Sequence, residues 1–460
     1  MIIVKICILH VYIIYSMLKK LENPDISKIT TNKIVGYLGN EAVQKMVQKS
    51  LSPYAHWVKV KHWQTPEGVS SLELWAAIKF FRNFFNKKSS PVRDEKGRYF
   101  SWASGLPGQE EFLHQIDMRL GGNLFVAGNE DGEEMRHRLL SRGVMEEAIA
   151  SSQLEGAHTS RKAAKQIIME GRKPRNQDER MIVNNYQAML KIEDELKNKD
   201  LDEDCLLELH RVLTEGVLDE SDIGRYRKDE DNIFVGDDGT KDEIYHVPPN
   251  EEFVKKEIRR FIAYANDEIK DLEFVHPVIK AIVLHFWFGY LHPFVDGNGR
   301  MARALFYWYL LKKKYWAFGF LPLSKVIKNS PGQYRDAYLF TEQDDNDLTY
   351  FIEYNIKKIT QAMREFDIYA KRKWKENTRM AKISREKYKL NDRQIQLLRY
   401  YYKNSDASTS VKTHMHIYET SRLTAAKDLK QLQKDGLVDA KKNGRNVLYY
   451  ATDKINDLFG

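Results

Sequence analysis

Cysteine is almost missing from this chain: Cys7 and Cys205 are the two thiols among 460 residues. Two distant thiols argue against a disulfide framework and against a zinc site, and they fit a reducing compartment. Long apolar runs are missing as well, except at the extreme start, MIIVKICILHVYIIYSML. There Lys5 and His10 interrupt the run and no small-residue cleavage site follows, so it reads neither as a signal peptide nor as an anchor. Residues 1–16 are read as an upstream extension ahead of a start at Met17, and the protein as cytoplasmic, with no membrane partner. A Gly-x4-Gly-Lys-Ser/Thr phosphate loop is absent, which excludes the Walker type of nucleotide site. No internal repeat or low-complexity tract occurs either.

The length suffices for roughly three domains of about 150 residues. A hydrophobic share of 42% and a charged share of 30% are those of an ordinary globular protein. Aromatics reach 12%, many of them inside helical runs, so large helix-packed cores are expected. A net charge of +8 allows an anionic partner such as nucleotide or nucleic acid, but at this length the excess is too mild to specify one.

Along the chain, residues 17–105 are read as an N-terminal helical region, in which LELWAAIKFFRNFF (72–85) has helical spacing. Helical patterns dominate from about 108 to 220. A polar stretch, SDIGRYRKDEDNIFVGDDGTKDEIYHVPPN (221–250), follows, in which Ile233–Val235 and Tyr245–Val247 flank a DDG turn and predict a β-hairpin. Helices are predicted again over 251–270, 277–291, 300–314 and 347–366. The stretch 366–390 reads as a basic linker or helix extension whose charges are a solvated face. Residues 391–460 predict two helices, a strand, a basic NGR turn and a second strand, the pattern of a winged helix-turn-helix. DNA is a partner this tail allows through Arg422 at the start of its second helix, although such domains also dock proteins.

The informative run is LHPFVDGNGRMARALFYWYLL (291–311). Pro293 disfavours α conformation at His292, which places an imidazole at a turn between two apolar helices, suited to act as a general base. Gly297 and Gly299 permit close backbone approach, so successive N–H groups can cup an anion at the start of the next helix. Arg300 and Arg303, three apart, share one helix face and can both reach a phosphate chain. Asp296 beside phosphates is a natural magnesium ligand. Each feature alone is ordinary, but a base, a carboxylate, two glycines and two arginines within twelve residues point to nucleotide chemistry.

The run HPFVDGNGRMAR resembles, without departure, the Fic family signature His-Pro-Phe-x-Asp/Glu-Gly-Asn-Gly-Arg-x-x-Arg. The resemblance implies a mainly α fold, with a helical Fic core over 106–365 joined to the C-terminal winged helix-turn-helix domain. It also implies transfer of AMP from ATP to a Ser, Thr or Tyr hydroxyl of a target protein, which includes the chain itself as a candidate. In that scheme His292 takes the hydroxyl proton and Asp296 holds Mg2+ on the α- and β-phosphates. Asn298 with Gly297 and Gly299 cradles the phosphates, Arg300 binds the β side and Arg303 the γ-phosphate. The hairpin at 224–250, with Ile233, Phe234, Val235 and Gly236, would be the flap that aligns the target segment by strand addition. SSQLEG (151–156) resembles the family's inhibitory motif, on a helix over 143–156. Glu155, assisted by Ser151 and Gly156, would then occupy Arg303 and displace the γ-phosphate. Tyr334 is the expected adenine contact. The alternatives are another nucleotide or phosphate-linked group, removal of AMP from a modified protein, or a DNA-binding regulator. The helical surfaces and the tail could each support a homodimer.

Overall fold

The protein's structure, a computed structural model, describes residues 18–84, 87–121, 130–236, 243–269, 273–404, 407–443 and 446–455. The extension expected at 1–16 and the centre of the NGR turn lie outside them. The chain forms two compact units, Met1–Met363 and Arg364–Gly460.

Among the described residues the first unit opens with α1 (Thr31–Leu38), α2 (Glu41–Lys49), a single helical turn at Trp57–Val60 and α3 (Ser71–Arg82). They pack around Val43, Val47, Trp57, Leu74 and Trp75. Ser70 and Glu73 close a capping box on α3, satisfying donors that the first turn would leave bare. At the other end of α3 the buried Arg82 donates to the carbonyls of Ser50 and Ala55 and lies 3.6 Å over the ring of Tyr54. A hairpin of β1 (Lys87–Arg93) and β2 (Tyr99–Ala103) follows, which the helical reading of this region did not foresee. Its turn has local chemistry: Asp94 accepts from the Arg98 amide, and Gly97 takes φ +80°.

The core of the unit is a pair of helices, α10 (Pro277–Leu291) and α11 (Asn298–Lys312), which pack on each other more extensively than any other helix pair among the described residues. PVIKAIVLHFWFGYL is apolar all round, and such a helix must be buried all round. His276 caps α10 through Nδ1, and Pro277 sits at the first turn, where its missing N–H costs nothing. Around the pair lie α4 (Gln109–Leu120), α5 (Glu130–Leu154), α6 (Arg161–Glu170), α7 (Gln177–Asp194), α8 (Glu203–Thr214) and α9 (Glu251–Ala265). Next come α12 (Leu323–Lys328), α13 (Pro331–Gln343) and α14 (Thr349–Tyr388). The helix expected over 347–366 therefore runs on through the basic stretch, and the break between units falls within it.

The polar stretch 221–250 holds a short antiparallel hairpin of β3 (Val235–Gly236) and β4 (Ile244–His246), with Val235 opposite His246. Ile233 and Phe234, expected in the first strand, precede it, and the second strand starts one residue earlier than expected. The DDG turn lies outside the described residues.

The second unit contains α15 (Asp392–Lys403), β5 (Ser408–Thr409), α16 (Val411–Ile417), α17 (Arg422–Lys434), β6 (Val438–Asn443) and β7 (Asn446–Ala451). The strands form one antiparallel sheet in the order β5-β7-β6. Asn391 caps α15, and its side-chain amide also donates to the buried Asp428 of α17, which takes the Arg393 guanidinium as well.

Candidate active site

His292 is the residue that ends α10, in a left-handed conformation at φ +46° and ψ +57°. A left-handed residue stops a helix, and Pro293 prevents its resumption. The ring Nδ1 lies 3.4 Å from the carbonyl oxygen of Gly289. A carbonyl only accepts, so Nδ1 carries the proton and Nε2 keeps a lone pair. Burial, together with the nearby positive charges of His246 and Arg227, lowers the His292 pKa to about 3. The imidazole is therefore neutral at physiological pH, the form a general base needs.

The loop after His292 is tied down from several sides. Phe294 is fully buried, and the ring of His210 stacks on it at 3.8 Å. His210 accepts from the Gly224 amide at Nδ1 and lies 3.0 Å from the Asp296 carbonyl at Nε2, so its proton sits on Nε2. Gly297 takes φ +84° as the cap of α11, a conformation that an L side chain adopts at a cost.

Two polar side chains of this loop bond within the protein. Asn298 and Arg300 were expected to contact phosphate, yet their side chains are buried at 1% and 0% exposure. The Asn298 amide bonds both backbone groups of Phe294, while Arg300 donates to the Leu213 carbonyl and to Asp296. The physical reason is that a tight turn between two buried helices leaves backbone polar groups that only side chains can satisfy. Neither residue is among those lining the cavity.

The cavity itself, of about 360 Å³, brings together His292, Gly299, Ala302, Arg303, Tyr334 and Glu155, with Val235 and Gly236 of the hairpin at its edge. Neither Asp296 nor Phe234 lines it. Tyr334 is bonded to the buried His285 at 2.7 Å through its hydroxyl.

Above the start of α11 lies α5. Glu147 and Ser151, four apart on α5, face Tyr307 and Arg303, four apart on α11, and form two rungs between the helices. Tyr307 bonds Glu147 at 2.9 Å, and Arg303 donates through Nε to Ser151 Oγ at 2.9 Å. Helix α5 ends at Leu154, so Glu155 stands in the turn just beyond the helix, with Gly156 at φ +93°. From there Glu155 Oε1 accepts from Arg303 Nη2 at 2.8 Å. Its carboxylate also lies directly over Gly299: a Cβ placed there would stand 2.2 Å from Oε1. An anion thus already sits at the helix start where donors and dipole favour one. The buried Glu147, which sequence reasoning missed, locks this arrangement by accepting from Ser324 as well as meeting Tyr307.

Three fully or nearly fully buried histidines of this unit have depressed pKa values: His56 and His210 at about 4 and His285 at about 3, each chiefly through burial. Such groups are neutral when folded and take up protons on unfolding, so their contribution is present above about pH 6.5 and is lost as pH falls toward 4. Each is expected to contribute on the order of 1 kcal/mol of lost stability between about pH 7.5 and about pH 5.5. Urea unfolding at the two pH values measures this, and an unchanged midpoint would refute it.

Comparison with known proteins bears on this geometry. Residues 200–310 match the Fic/DOC family model. Over 111 residues the chain is 37% identical to a protein adenylyltransferase Fic from Nematostella vectensis, covering 24% of this chain and 22% of that protein. Over 110 residues it is 33% identical to a protein of the same name from Drosophila melanogaster, covering 24% of this chain and 20% of that one. The match therefore spans about a fifth of the length of these curated relatives. Among solved structures, a Fic family protein from Desulfovibrio desulfuricans G20 is 20% identical with a TM-score of 0.47, covering 75% of this chain and 94% of that one. Fic-1 from C. elegans is 18% identical with a TM-score of 0.42, covering 56% and 71%.

Proposed function

From the match of residues 200–310 to the Fic/DOC family model and the geometry of the cavity, we propose that the chain is a protein adenylyltransferase held in check by its own Glu155. The observation that carries this reading is the single cavity lined by His292, Gly299 and Arg303 at the start of α11, with a carboxylate lying where a phosphate would bind. A target hydroxyl gives its proton to His292 Nε2 while its oxygen attacks the α-phosphorus of ATP. A phosphoester bond to AMP forms, the bond to the β-phosphate breaks and pyrophosphate leaves. The backbone donors at the start of α11 and the Arg303 guanidinium neutralise the phosphate chain, so positioning and charge do most of the work.

Among the described residues no cluster of three or more metal-ligating side chains occurs. The site nevertheless fits magnesium, which takes one or two carboxylates and completes its shell with phosphate oxygens and water. Asp296 is half-exposed, bonds Arg300 through one oxygen and would offer the other. When bound, the ion supplies further neutralisation of phosphate charge.

Incubating the full chain carrying Glu155→Gly with ATP labelled at the α-phosphate tests the reading. Label on this chain or on another protein supports it, and competition by UTP, GTP or CDP-choline identifies the nucleotide. Absence of any labelled protein while ATP still binds would sink AMP transfer. Release of AMP from modified protein would instead favour removal.

The C-terminal unit supports a second, separate reading as a winged helix that binds duplex DNA. Arg422, Lys427, Lys430 and Lys434 of α17 are exposed, as are Lys441 and Lys442 of β6. Contacts to about four phosphates would weaken binding on the order of a hundredfold between about 50 and about 200 mM salt. Fluorescence anisotropy with a labelled duplex checks this, and no binding at the lower salt rules it out.

A further inference from the structure

The bend that presents His292 is held from outside the helix it ends. A non-glycine residue in the left-handed region costs about 1–2 kcal/mol, so surrounding contacts must hold it there. The last carbonyls of α10 also have no partner within the helix. Arg227 supplies donors for two of them, through Nε to the His292 carbonyl at 2.7 Å and through Nη2 to the Leu291 carbonyl at 3.3 Å. His246 supplies the third, with Nε2 at 2.8 Å from the Tyr290 carbonyl. That carbonyl can only accept, so Nε2 carries a proton.

The second nitrogen of His246, Nδ1, lies 2.7 Å from Glu342 Oε2 on α13. Burial opposes a charge on this imidazole, but the Glu342 carboxylate and the Tyr290 carbonyl outweigh it and raise its proton affinity. His246 ends β4, and its partner across the hairpin is Val235, the β3 residue at the edge of the cavity. One strand pair and one hydrogen bond therefore connect the hairpin edge to the last turn of α10.

We propose that His246, oriented by Glu342, is a positioning residue that couples the target-docking hairpin to the bend presenting His292. This rests on reading His292 as the base and the hairpin as the flap for the target segment. A strand added to the hairpin steadies β4, which holds the Tyr290 carbonyl and with it the direction of the His292 ring. Docking of a target thus sets the base in place.

The test uses the full chain with Glu155→Gly as parent. His246→Ala is expected to lower kcat for AMP transfer by about ten- to a hundredfold, the size of effect that a small misplacement of a reacting group produces. The KM for ATP should stay within about threefold, because His246 lines the cavity beside the hairpin and is not among the groups assigned to the phosphates. His246→Gln, whose amide N–H can reach the same carbonyl, should restore kcat to within about threefold of the parent. Equal loss in both variants, no loss in either, or a raised KM for ATP at unchanged kcat overturns the proposal. Spectra of chain labelled with carbon-13 at histidine Cε1 give a reading independent of turnover. The His292 signal, identified by its loss in His292→Ala, should move in His246→Ala and return in His246→Gln. If the parent transfers no AMP, the adenylyltransferase reading fails on its own. A His292 signal unmoved by His246→Ala then refutes the coupling separately.

Discussion

A chain carrying both Glu155→Gly and His292→Ala is expected to transfer AMP about a thousandfold more slowly than Glu155→Gly alone, the middle of the range for losing a positioned general base. The argument is geometric first. Nδ1 of His292 faces the Gly289 carbonyl, which leaves Nε2 unprotonated in a cavity shared with Gly299 and Arg303. Burial keeps the ring neutral, so no part of the population is lost to the imidazolium at pH 7. No nucleotide-neutralising group is removed, so ATP affinity should change little while the chemical step slows. Single-turnover labelling alongside calorimetric ATP binding separates the two. A loss of less than about tenfold would show that something other than this imidazole takes the proton.

Glu155→Gly alone should raise transfer over the unaltered chain by about ten- to a hundredfold. Hydrogen bonds to charged groups contribute about 1.5–3 kcal/mol, which corresponds to that range. Arg303 is nearly buried, with 4% of its side chain exposed, and it pairs with Glu155 at 2.8 Å. In the proposed scheme this carboxylate would have to leave both the guanidinium and the space over Gly299 before a γ-phosphate could reach Arg303. The substitution removes that competition, while Ser151 still holds the arginine through its hydroxyl and its carbonyl. Glu155→Ala should act alike, since the carboxylate rather than turn flexibility is the obstacle. Label transfer at saturating ATP checks both variants. If neither exceeds the unaltered chain, the carboxylate does not restrain the site.

The parts of this protein that were legible in its sequence are local. The apolar runs of α10 and α11 specify helices that can only be buried, and Pro293 and the two glycines specify a turn between them. A base and an arginine eleven residues apart therefore come to one cavity whatever surrounds them. Glu155 lies 148 positions from Arg303, and only resemblance to a family linked the two. Their contact depends on how α5 lies along α11, which the buried Glu147 helps to decide.

Tertiary structure alone decided which polar residues of the signature reach the cavity. Asn298 and Arg300 look as suited to phosphate as Arg303 does when only spacing is considered. They turn inward because the tight turn and the end of α8 expose backbone groups that need partners, and water cannot reach them there. The same holds for His246 and Glu342, ninety-six positions apart, which meet because β4 and α13 pack beside the last turn of α10. Sequence determined the local angles and the order of chemical groups. Burial of the remaining backbone then determined which of those groups stayed free for chemistry.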